Sequence, residues 1–142
     1  MLDEVKARLE QRVPECGTIK TAVDWSSLMR SGTQPVGGVN TFLLPGDVVG
    51  GAAEAATGAF TQAIRDGVQV VTMLQSTDAR GTRALERIED HLKDLREAVA
   101  GWAPGDTVGV FTFVRQRFVP DTRGVLSVIT EFAIDDQLRT TP

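Results

Sequence analysis

Few side chains in this sequence are of the types that do covalent or metal chemistry. It has one Cys, Cys16, and one His, His91. A nucleophilic site needs an activated Ser, Thr or Cys with a base in reach. Cys16 follows Pro14-Glu15 with no basic cluster to lower its pKa, so it reads as an inert or partly buried thiol. His91 lies next to Leu92 but off the apolar stripe of its helix, and is expected to be solvated. One Cys and one His cannot build a Cys/His zinc site. The adjacent acids Glu89-Asp90 and Asp135-Asp136 point apart on a helix or strand, which suits a solvated surface better than a cation. No Gly-x-Ser-x-Gly elbow occurs. Gly46-Asp47-Val48-Val49-Gly50-Gly51 has neither the spacing of a dinucleotide fingerprint nor the Lys-Ser/Thr ending of a P-loop. No catalytic, cofactor-binding or metal-binding residue is assigned, and the chain is expected not to be an enzyme.

Two segments invite contact rather than catalysis. Residues 46–58 are small and poor in anchoring side chains, and a loop of that length inside a small domain is functional or disordered. The expectation is a flexible Gly/Ala loop that orders against a partner, the alternative a mobile surface loop. Arg115, Arg117 and Arg123 gather around a hairpin whose turn is Pro120-Asp121-Thr122-Arg123. Arginines there can pair with an acidic neighbour. The candidate assembly residues are therefore Gly46, Asp47, Val48, Val49, Gly50, Gly51, Glu54, Arg115, Arg117, Asp121 and Arg123. The net charge of −4 and pI near 5.0 favour a protein contact over wrapping nucleic acid.

The elements that must position these segments follow from periodicity. Leu2, Val5, Leu9 and Val13 form one helical stripe that Pro14 ends. Residues 18–23 alternate weakly as a short strand, and Asp24 is a plausible N-cap for a turn or two of helix. Residues 31–38 hold Pro35 and Gly37-Gly38 and read as a loop. Residues 39–44 form a strand closed by Pro45-Gly46. Residues 60–75 read as one long strand bulged at Asp66-Gly67, its apolar run buried on both faces. Leu85, Ile88, Leu92, Leu95 and Val99 mark a long helix capped by Asp78, with a Glu89–Lys93 pair outside. Residues 108–119 and 124–134 form a hairpin. Its first strand carries Arg115 and Arg117 on the side of Phe111 and Phe113, and its second is half-buried. Residues from 135 form a polar tail expected to fray. Trp25 and Trp102 read as core or hinge residues.

The 142 residues suit one domain, 1–142, with one core. The order of elements gives an α+β fold: a small, mainly antiparallel four- or five-stranded sheet with helices packed on one face. A lone Cys excludes a disulfide framework. No apolar run is long enough to span a membrane, and Met1 to Lys6 lacks a signal-peptide core, so a cytosolic site of assembly is expected.

Over most of its length the sequence resembles the tail terminator, or tail completion, proteins of long-tailed bacteriophages. The likeness is carried by Val13-Pro14-Glu15 after the first helix, Phe42-Leu43-Leu44-Pro45, and the valine-rich strand from Gly67 to Met73. It continues through Asp78-Ala79-Arg80-Gly81, Gly101-Trp102-Ala103-Pro104 and Glu131-Phe132. It departs in the final strand, where relatives often carry Trp and this chain has Val128-Ile129. The resemblance implies a structural virion protein at the tail–neck junction, assembled in the host cytoplasm. It implies a homohexameric ring that caps the major tail tube protein and stops its polymerisation. It further implies a surface for the head-completion or connector protein, and a channel that passes DNA without sequence-specific binding. No cofactor and no membrane enter this picture. The alternatives are another neck component, such as a head-closure or adaptor protein, or a small host α+β binding domain or enzyme.

Overall fold

The computed structural model describes residues 1–31, 39–56, 58–75, 82–105, 107, 109–119 and 125–140. Among them the chain forms helices α1 (Leu2–Arg12), α2 (Ala22–Ser31) and α3 (Thr82–Val99) and strands β1 (Val39–Ala56), β2 (Ala59–Gln75), β3 (Thr112–Val119) and β4 (Val125–Thr140). The strands make one antiparallel sheet in the order β1-β2-β4-β3, so the fold is α+β and four-stranded.

The helical stripes do what their spacing requires. Val5 and Leu9 of α1 pack with Ile88, Leu92, Leu95 and Val99 of α3. Both helices cover the sheet face carrying Leu43, Val68, Val70, Leu74, Val128, Phe132 and Ile134. Arg8 ties the two together: its Nε donates to the Ala98 carbonyl at 2.9 Å, near the negative end of α3, and its guanidinium lies 5.2 Å from the Trp102 ring. Gly101, at φ +81°, takes the left-handed conformation that ends α3. Trp102 then stacks on Phe111, with ring centroids 6.0 Å apart.

The third helix does not join them. Lys20 donates its N–H to the Thr41 carbonyl and accepts from the Leu43 N–H, both at 2.9 Å, which lays the preceding segment along the outer edge of β1. Residues 18–23 are thus a single bridge rather than a strand. From there α2 crosses to the opposite face, where Trp25 and Leu28 cover Phe42, Val71, Met73 and Val125. The expectation of helices on one face is corrected: the sheet has apolar residues on both faces, and each face recruits its own cover. Asp24 is also not the N-cap. It sits in the first turn and accepts from the Thr21 N–H (2.9 Å) and hydroxyl (3.0 Å), one half of a capping box.

Two further corrections come from the sheet's centre. β4 is buried on both faces as far as Ile134, Ser127 and Glu131 included, because it lies between β2 and β3. Its residues 135–140 do not fray; they pair with β2 from Phe60↔Thr140 to Arg65↔Asp135. In α3, Lys93 reaches Glu97 at 4.0 Å instead of pairing with Glu89. The proposed cap Asp78 and the 32–38 stretch of the expected loop lie outside the described residues.

Candidate assembly interface

The expected flexible loop at 46–58 is an extended strand. β1 continues from the body through Ala56, Gly58 (φ +79°) sits at the turn, and β2 returns from Ala59. With residues 135–140 of β4 this makes a three-stranded arm beyond the helices. At ~3.3 Å per residue it is roughly 30 Å long. Small residues suit it because β1 carries two bulges there, between Pro45 and Val48 and between Gly50 and Ala53. At the first, Gly46 and Gly67 face each other so closely that a Cβ on Gly67 would stand 2.8 Å from the Asp47 carbonyl oxygen. The bulge expected at Asp66-Gly67 is therefore real, but its extra residue lies in β1.

The arm's two faces differ. Register places Val48, Ile64 and Leu138 on the face that α1 and α3 cover in the body, yet here Val48 is 63% and Leu138 42% exposed. Val49, Glu54, Arg65 and Arg139 occupy the α2 face.

At the opposite edge of the sheet, β3 contains another bulge, between Phe113 and Arg115. It overturns the expectation that Arg115 and Arg117 share a face with Phe113. Phe113 pairs with Phe132 and meets α3, where Arg96 lies 5.9 Å from its ring and donates to Gln116 at 2.9 Å. After the extra residue, Arg115 and Arg117 pair with Glu131 and Ile129 on the α2 face.

There Arg115 binds Glu131 through its Nε, and Gln69 donates to the other carboxylate oxygen at 3.0 Å. Glu131 holds the Arg115 guanidinium even more firmly protonated than usual. Arg65 reaches across to the Thr112 hydroxyl at 3.1 Å. Arg65, Gln69, Arg115 and Glu131 floor a shallow concavity of about 150 Å³ that Gly46, Asp47 and Val49 also line. The structure thus brings together Gly46, Asp47, Val49 and Arg115. It leaves Val48, Gly50, Gly51 and Glu54 along the arm and Arg117 on the β3 edge; Asp121 and Arg123 lie outside the described residues. Sequence reading missed Glu131, Gln69 and Arg65, since only register sets them side by side.

The nearest arrangement to a catalytic one was also missed. Cys16 Sγ lies 4.0 Å from His91 Nε2, and His91 Nδ1 lies 3.6 Å from Glu15, too long for a hydrogen bond. His91 is 1% exposed, not solvated. It stands three residues after Ile88 and four before Leu95, so the stripe's own spacing placed it inward. Burial pushes the Cys16 thiol up to about 11 and lowers the His91 pKa, so both stay neutral and neither activates the other. Among the described residues no group of three His, Cys, Asp or Glu side chains is placed to hold a metal, and no helix is long and apolar enough to cross a membrane.

What remains is a surface: an uncovered arm, an exposed basic edge, and a polar groove between them. None of the curated proteins matches the chain. A family model described as phage tail terminator protein matches residues 2–142. The chain therefore belongs to the phage tail terminator family and has a structural role in tail completion, as a virion component in contact with other tail components.

Proposed function

We propose that the protein assembles as a six-membered ring on the last disc of the tail tube, stops tube polymerisation, and offers its far side to the head-completion or connector protein. Its place is the tail–neck junction, reached after assembly in the host cytoplasm. Its role is structural and not enzymatic, in keeping with a buried, neutral Cys16–His91 pair. The observation that carries this reading is the family match over residues 2–142. An arm with little cover of its own supports it, because such a segment gains stability from a neighbour. Six copies at −4 each total about −24, and an acidic channel passes DNA without retaining it.

The test is electron microscopy of particles from phage lacking this gene. Over-long or headless tails, restored to normal length by the supplied protein, are expected. Tails of normal length beside heads that leak DNA would assign the protein to head closure instead.

A further inference from the structure

The sheet ends in two strands of opposite charge. β1 holds Asp47 and Glu54 and no Lys or Arg; β3 holds Arg115 and Arg117 and no Asp or Glu. Both are outer strands. Among the described residues, β1 from Leu44 onward has no partner on its outer side, and neither does β3. Bare edges are hazards, because any extended strand can add to them. Here each edge repels its own kind: β1 against β1 sets acid on acid, and β3 against β3 sets base on base. Only β1 against β3 is attractive. Such a contact is head-to-tail, and head-to-tail contacts build rings or filaments rather than closed pairs.

The faces agree as well. Rotation about a ring axis keeps the same sheet face outward in every subunit. Glu54 and Arg117 both lie on the α2 face, so they meet on one side of a β1–β3 seam. On the other side the same antiparallel register sets Ala53 opposite Phe118, which is 52% exposed. Apolar cross-strand neighbours and opposite charges both stabilise paired strands.

We infer that the ring's subunit contact is strand addition between copies, the arm portion of β1 in one subunit lying against the outer edge of β3 in the next, with Glu54 and Arg117 as charge partners. The inference rests on the ring reading above and names the surface that makes it. The sheets then join around the ring through these two outer strands.

The test uses the full chain carrying Glu54→Arg, Arg117→Glu or both, sedimented alone and with assembled tail tubes. Both residues are exposed, and an unchanged thermal melt confirms folding. Each single reversal is expected to weaken assembly by about ten-fold or more, and the double reversal to recover it to within about three-fold of the parent. Amide exchange is expected to slow at 52–56 and 115–119 together upon assembly. Rings that form while both segments exchange at free-chain rates, or a double variant no better than the worse single, would overturn the strand-addition contact and leave the ring standing. A chain that stays monomeric even on tubes removes the ring, and this contact with it.

Discussion

The same strands serve two regions that differ above all in whether a helix lies over them. In the body, Val68, Val70, Val71, Met73 and Leu74 of β2 are at most 3% exposed, between α1 and α3 on one side and α2 on the other. In the arm, β1 and β2 keep the same antiparallel ladder as far as Ala56↔Ala59, yet Val48, Val49 and Leu138 stay open. Backbone pairing alone is a weak source of stability, and segments with few buried apolar contacts open at low cost. The body carries its own cover on both faces, and the arm does not.

Truncation of an apolar side chain gives the largest contrast. Leu95→Ala, at a fully buried site, is expected to cost about 2–5 kcal/mol in urea unfolding. Leu138→Ala is expected to stay within about 0.5 kcal/mol of the parent. An equal loss at Leu138 would mean that the arm has a core of its own.

Glycine replacements probe the joint between the regions. Gly67→Ala drives its Cβ to 2.8 Å from a backbone oxygen, and a shift of that kind costs about 1–3 kcal/mol. Gly50→Ala meets only the mobile end of Gln62, at 2.7 Å, and is expected to be nearly neutral. Amide exchange should quicken through the arm of Gly67→Ala while α3 keeps its protection. If both variants behave alike, the first bulge is not a close joint.

The body was legible in the sequence and the arm was not, for physical reasons. The stripes of α1 and α3 and the valine run of β2 repeat at the period of their own element. Residues 46–56 have side chains too small to report a period, and two bulges interrupt what period there is. The bulge before Arg115 inverted the assignment of that residue and Arg117 to a face, because one extra residue turns every later side chain over. Residues 135–140 look like a tail until a partner strand is known. His91 was misplaced by chemical type rather than by spacing. The groove around Glu131 depends on the register of three strands at once.

His91 supplies a smaller effect, confined to the body. Its pKa lies below the usual value chiefly through burial, against the opposing influence of Glu15 and Asp94. Cys16, also packed against it, stays neutral. The unfolded chain therefore takes up a proton first as pH falls. Stability present above an imidazole's ordinary pKa near 6.5 should decline as pH drops through that value toward the folded one. His91→Gln should flatten this part of a pH series of melting temperatures. A profile equally steep in the variant would place the titrating group elsewhere.

The ion pair in the groove gives the smallest expected change and locates the boundary between the two regions. Arg115 is 62% exposed, so solvent screens most of its attraction for Glu131, whose side chain is 11% exposed. Removing the guanidinium leaves Glu131 with the Gln69 donor at 3.0 Å, so its carboxylate keeps a partner. Arg115→Ala should then lower the urea midpoint only slightly in low salt. The difference should shrink near 1 M salt, where the screening length is about 3 Å. A loss of about 3 kcal/mol or more, insensitive to salt, is the behaviour of a buried pair. It would mean that the groove floor belongs to the body and that the uncovered region begins beyond the first bulge.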